Sequence, residues 1–202
     1  MSYTQTELAE IVSTRIAHDI GGTIGALGAA LELIEGNNNE LDEDTRGIIT
    51  AATNTLKARQ RFLRIAFGLD SKSANSTELA NICKDYVATL GNPATPIHLS
   101  LNEISPEIAK PIFLCIISAA DVCMKGGEIS VDLNKDNMTV HVRSDYKLVA
   151  GKISVYNDII AGKKPEEYIS QYIQLIYLRE LLGKDVPMKL ISSETEMTLL
   201  IG

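Results

Sequence analysis

The sequence predicts an α+β fold: a long helical hairpin that forms a dimeric four-helix bundle, followed by an α/β sandwich with a mainly antiparallel sheet. Three observations predict it. Leu8, Val12, Ile16, Ile20, Ile24, Leu27, Leu31 and Ile34 recur at steps of three and four, the mark of one buried helical stripe. A polar turn, Gly36-Asn37-Asn38-Asn39, separates this helix from a second amphipathic one. From Thr77 onward helical runs alternate with short strand-like runs, an order that suits a sheet layered under helices. With 202 residues and 45% apolar content, the chain can build one domain or two small ones.

Taken in order, Thr4 and Glu7 fit a capping box, so the first helix is expected to run from there to about Glu35. Asp42, Glu43 and Asp44 open the second helix, at the end where the dipole favours negative charge. It turns Ile48, Ile49, Ala52, Leu56, Leu63 and Ala66 inward, carries Lys57, Arg59, Arg61 and Arg64, and ends near Gly68. A lone hairpin cannot cover both stripes. Two copies in a four-helix bundle solve this most economically; the alternative is that the second half of the chain covers the hairpin. The stretch from Asp70 to Ser76 reads as a polar linker between a hairpin unit, residues 1–70, and a second unit, residues 76–202.

In the second unit, helix is expected from Thr77 to Leu90, strand from Pro96 to Leu101, and a largely buried helix from Pro106 to Met124. Lys125-Gly126-Gly127 forms a turn; Glu128 to Leu133 and Met138 to Arg143 alternate as strands around a hairpin at Lys135-Asp136-Asn137. Pro165 to Leu182 reads as a further helix ended by Gly183, and Pro187 to Ile191 with Met197 to Ile201 as a closing hairpin.

At about 100° per residue, His18 falls opposite the apolar stripe and faces water. Ile11, Thr14, Arg15, Gly22, Gly25 and Ala29 are its neighbours on that face. Gly21, Gly22, Gly25 and Gly28 lie within two turns, and each costs about 0.8–1 kcal/mol relative to alanine inside a helix. Close approach of a partner surface accounts for such a loss, which makes Gly22, Gly25 and Ala29 candidate docking residues. A helix break at Gly21-Gly22, or close packing between helices, would account for it as well.

Composition narrows the function classes. The formal net charge is −7, there is no Trp, and no lysine-rich run or aromatic-basic interleaving occurs, so nucleic-acid binding is disfavoured. Cys83, Cys115 and Cys123 form no CxxC pair and read as reduced, mostly buried thiols. No apolar run approaches the roughly 20 residues of a membrane span, and the first residues lack the pattern of a signal peptide. A cytoplasmic location without membrane contact is the expectation. His98 and His141 lie in expected strands without ligand spacing, and no HExxH or CxxC metal motif is present.

A helical hairpin with a solvent-facing His-Asp, followed by an α/β unit, resembles the dimerisation and catalytic layout of sensor histidine kinases. The chain more closely resembles the ChpT-type histidine phosphotransferases of bacteria. That family carries a segment like SRLCHDLISPVGAINNGLELL where this chain has STRIAHDIGGTIGALGAALELI, and a pattern like RLQFFRLAFG where it has RQRFLRIAFG, Arg59 to Gly68. Its GGxLxV is similar to Gly126-Gly127-Glu128-Ile129-Ser130-Val131. The likeness touches both halves and covers nearly the whole chain. Thr23 stands where the family has proline, and Gly21-Gly22 where it has a more polar pair.

The resemblance implies a phosphorelay intermediate, with His18 accepting a phosphoryl group from a receiver-domain aspartate and passing it to another. The receivers would be those of a hybrid histidine kinase and of response regulators. It also implies that the second unit is a degenerate Bergerat-type kinase domain that no longer binds ATP. The helix around Ile116 to Asp121 offers no Asn for magnesium, and Ser144-Asp145-Tyr146-Lys147 lacks the glycines of an Asp-x-Gly-x-Gly loop. No cofactor of the chain's own is therefore expected; Mg2+ would come from the receiver.

The residue chemistry suits this role. An exposed imidazole, with an ordinary pKa near about 6.5, is largely neutral and nucleophilic at neutral pH. Phosphoryl transfer is chiefly positioning and charge stabilisation, so few helpers are needed. His18 Nε2 is the expected phosphorylated atom and Asp19 the acceptor of a hydrogen bond from Nδ1. Arg15 stands either as a charge for the migrating phosphoryl group or as a solvated surface arginine. Lys57, Arg61 and Arg64 either meet an acidic receiver surface or simply answer the helix-end dipole. Gly22-x-x-Gly25-x-x-Gly28 superficially resembles a dinucleotide turn, but a helix rather than a strand precedes it. A dimeric adaptor that binds receivers without taking up phosphate is the rival reading.

Overall fold

The computed structural model describes residues 3–68, 74–91, 94–123, 125–134, 137–167 and 169–202. Expectations for Asp70 to Ser73, Met124 and the hairpin residues Lys135 and Asp136 lie outside these.

Helix α1 spans Gln5–Gly36 without interruption through all four glycines and Thr23, so the break considered at Gly21-Gly22 does not occur. Its start is the expected capping box: Glu7 N–H donates to Thr4 Oγ1 at 3.2 Å, and Thr4 N–H to Glu7 Oε2 at 2.7 Å. Asn38 and Asn39 take positive φ, which Asn tolerates better than most residues, and turn the chain into helix α2, Glu43–Phe67. Asp42 caps α2, accepting from Thr45 N–H at 2.7 Å. Among the described residues, no helix is long and apolar enough to cross a membrane.

After α2 come α3, Ser76–Ala88, and β1, Ile97–Leu101. Helix α4, Ala109–Val122, is apolar on nearly every side and correspondingly enclosed. Pro111 lies in its first turn, where a missing N–H costs nothing. Strands β2, Gly127–Leu133, and β3, Met138–Ser144, pair antiparallel, while β1 pairs parallel to β2. Gly127 at φ +138 begins β2, and a Cβ there would lie 2.3 Å from Arg143 O, so only glycine fits.

The chain then departs from expectation. Helix α5, Ala150–Ile160, has no counterpart in the expected order of elements. The single helix expected over Pro165 to Leu182 is a 3-10 turn, Ile169–Tyr172, followed by α6, Ile173–Leu182. Neither α5 nor α6 has a side-chain N-cap, so no capping signal marks their starts. Strands β4, Met188–Ser192, and β5, Glu196–Ile201, close a five-stranded sheet of order β1-β2-β3-β5-β4.

Inward-facing Ile129, Val131, Val140, Val142, Met197 and Leu199 alternate with outward Glu128, His141 and Arg143, as a sheet covered on one face requires. Helix α4 is the centre of the covering layer, packed by α2, α3 and α6. Phe62 of α2 stacks between Tyr86 of α3 and Phe113 of α4, with ring centroids 3.8 and 4.6 Å away. One core therefore runs from the end of the hairpin into the sheet. Its hydrophobic members from the hairpin stop at Ile20 on α1 and begin at Phe62 on α2. The second half of the chain thus covers part of the hairpin and leaves the remote part uncovered.

A histidine held by a buried ion-pair network

His18 projects from the middle of α1 with its side chain 85% exposed. Asp19, next in sequence, places Oδ1 3.3 Å from His18 Nδ1, a contact that calls for the Nδ1–H tautomer. Adjacent helical residues do not face one another, so this contact needs a held rotamer. Arg15 holds it: Nε donates to Asp19 Oδ2 at 2.8 Å, leaving the other carboxylate oxygen for the histidine.

Arg15 itself is the main correction at the site. Expected on the exposed face, it is only 9% exposed and turned into the protein. Its Nη1 and Nη2 donate to Asp121 Oδ2 and Oδ1 at 3.1 and 3.2 Å, a bidentate pair with the last turn of α4. Nη1 also reaches Gln171 O at 3.3 Å and Gln174 Oε1 at 3.4 Å. Burial works against the guanidinium charge, but Asp121 and then Asp19 outweigh it, and the Arg15 pKa rises.

The network continues inward. Gln174 Nε2 donates to Asp121 Oδ2 at 2.9 Å and to Gln171 O at 3.0 Å, and lies 3.5 Å from Tyr156 Oη. Tyr156, fully enclosed, donates to Ser118 O at 3.1 Å; burial, then the Asp121 charge, raises its pKa. Gln171 lies in the 3-10 turn, and its carbonyl accepts from both Arg15 and Gln174.

Arg59, read from sequence only as one of a basic cluster, joins three helices. Its Nη1 donates to the main-chain carbonyl of Asp19 at 2.6 Å, and Nε and Nη2 donate to Thr89 Oγ1 and O at 3.3 and 3.2 Å. Arg61 instead pairs with Glu78 of α3 at 3.1 Å, and Arg64 is exposed on α2.

Gly22, Gly25 and Ala29 are exposed on the histidine's side of α1. A Cβ built on Gly21, Gly22, Gly25 or Gly28 would meet nothing within 4 Å, which removes close packing within this chain as their reason. His98 and His141 lie on the outer sheet face; His141 Nδ1 is 3.0 Å from Thr198 Oγ1, and neither histidine belongs to the network. The sequence places Arg15 four residues before Asp19, a spacing that allows the pair without revealing its burial; Ile11, expected on the exposed face, also packs against the core.

Fold and site together define a helical-hairpin protein that displays one oriented histidine beside a layered α/β unit. The chain is similar to known proteins. Over 195 residues the chain is 24% identical to the protein phosphotransferase ChpT of Brucella abortus (strain 2308), covering 91% of this chain and 88% of that protein. The structure of a bacterial phosphotransferase superposes with a TM-score of 0.79 at 20% identity, over 100% of this chain and 98% of that one. The histidine kinase AdeS of Acinetobacter baumannii aligns with 91% of the chain and 95% of its own at 13% identity, with a TM-score of 0.45. No protein-family model matches.

Proposed function

We propose that the chain is a histidine phosphotransferase of a two-component phosphorelay, with His18 as the residue that carries the phosphoryl group. A ChpT-type protein is what the end-to-end likeness to a ChpT phosphotransferase supports. The observation that carries the chemistry is an imidazole with an 85% exposed side chain whose Nδ1 contacts a fixed carboxylate. With the proton held on Nδ1, the lone pair on Nε2 faces solvent. As the donor aspartyl phosphate arrives in line, Nε2 forms a bond to phosphorus while the P–O bond to the donor carboxylate breaks. The electron pair leaves on the carboxylate oxygen. The Nδ1 proton stays, and Asp19 offsets the positive charge on the ring. Reversal onto a second receiver aspartate completes the relay. Mg2+ is expected from the receiver, and the missing Asn and glycine loop support a role without ATP.

Gly22, Gly25 and Ala29 form the docking surface in this reading, with Arg61 and Arg64 as basic contacts to an acidic receiver. The receivers are those of a hybrid histidine kinase and of response regulators. We place the protein in the cytoplasm as a homodimer, in keeping with three buried thiols without disulfides and an apolar hairpin surface left uncovered. The division into units 1–70 and 76–202 is a functional one in this reading, since the core crosses it.

His18→Gln, checked for folding by circular dichroism, should take up no label from a phosphorylated receiver, whereas wild type acquires acid-labile phosphate. Labelling of the variant would refute the assignment. Receiver binding by wild type without any transfer would favour the adaptor reading.

A further inference from the structure

We propose that Asp121, at the end of α4, is a positioning residue for phosphotransfer at His18, acting through Arg15 and Asp19. The inference rests on the reading of His18 as phospho-acceptor. Asp19 can serve the histidine only in one rotamer, and one hydrogen bond, from Arg15 Nε at 2.8 Å, sets it. That bond is only as well aimed as the guanidinium plane, which is fixed from the other side by the two bonds to Asp121 at 3.1 and 3.2 Å. Gln174, fully buried, holds Asp121 Oδ2 in turn at 2.9 Å.

The charges point the same way as the geometry. Arg15 faces two carboxylates, so Asp121 shares in balancing its charge and leaves Asp19 with anionic character toward the imidazole. If Asp121 loses its charge, Arg15 turns wholly to Asp19, and both the aim and the basicity of that carboxylate toward Nδ1 fall. The imidazole then drifts toward the Nε2–H tautomer, which blocks the nucleophilic lone pair. A residue of the second unit, distant in sequence, thereby sets the chemistry of a histidine on the hairpin.

The test uses the full chain with Asp121→Asn, which keeps size and one acceptor oxygen while removing charge. Imidazole nitrogen chemical shifts should show a smaller Nδ1–H fraction at His18. Transfer from a phosphorylated receiver should slow by about tenfold, the scale at which supporting partners act on an oriented histidine. Asp121→Glu should recover most of the rate. In an Asp19→Asn background, Asp121→Asn should add no further loss, because its effect passes through Asp19; a merely structural role would add its full cost. An unchanged tautomer ratio, or additive losses in the double variant, overturns the proposal. The tautomer measurement needs no phosphate, so it tests the linkage even if His18 proves not to be the acceptor. Should Asp121→Asn fail to fold, Arg15→Gln carries the same tautomer test.

Discussion

At Arg59 a single side chain ties α1, α2 and the end of α3 together through three hydrogen bonds. One of them goes to the main-chain carbonyl of Asp19, so the tie is made one residue from His18. Arg59→Ala removes all three donors and should lower stability by about 2 kcal/mol, given roughly 1 kcal/mol per net hydrogen bond and some relief by water. Urea denaturation measures this, and an unchanged midpoint would show the tie to be idle. Arg59→Lys should restore little of the loss, since an ammonium cannot span the same three acceptors. His18 is legible in the sequence because helical phase reports its exposure, and Asp19 because it adjoins that histidine. The inward turn of Arg15 and the bridging role of Arg59 are not, because phase locates one buried stripe. In helical angle Arg15 lies about 60° from His18, a position that is solvent unless a second surface covers it. The second half of the chain supplies that surface, and no pattern within the first helix announces it.

At the scale of elements, α1 presents its glycines to open space. Because none is needed for packing in this chain, Gly22→Ala with Gly25→Ala should stabilise the fold by about 1–2 kcal/mol together. The same two methyl groups should lower the rate of transfer from a receiver several-fold if the proposed docking surface is the one used. Gly47→Ala on α2 is the control: its Cβ also meets nothing within 4 Å, so it should stabilise without slowing transfer. Thermal unfolding together with transfer rates reads both effects; a double variant both steadier and equally fast would remove the docking role of these glycines. Elements with chemical punctuation are legible. The Thr4–Glu7 box, the Asp42 cap and the asparagine turn set the hairpin within a residue or two. Helix α5 is not legible, since only Ile153, Tyr156 and Ile159 mark its buried side and no cap opens it. The 3-10 turn before α6 reads as helix because its composition is helical, and its irregularity serves a carbonyl that Arg15 and Gln174 use.

For the whole molecule, the decisive fact is how far up the hairpin the core reaches. Beyond Ile20 on α1 and before Phe62 on α2, among the described residues, neither helix contributes a side chain to that core, and Arg59 ties α2 to Thr89 by hydrogen bonds alone. There Ile24 is 52% exposed and Leu31 58%, with Ile48 on α2 at 42%. In helical angle Ile24 and Leu31 lie about 120–140° from His18, on the side opposite to Arg15. A second copy laid against that side would complete a four-helix bundle while leaving both histidines open to receivers. Burying each of these aliphatic side chains contributes about 1.5–3 kcal/mol. Leu31→Glu with Ile48→Glu should therefore raise the dimer dissociation constant by at least about 100-fold. Both positions are already exposed in the single chain, so helical content should be unchanged by circular dichroism. Sedimentation velocity at micromolar concentration should show a dimer for wild type and a monomer for the variant. A wild type that sediments as a monomer, or a variant that dimerises as before, would mean that the uncovered surface meets something other than a second copy.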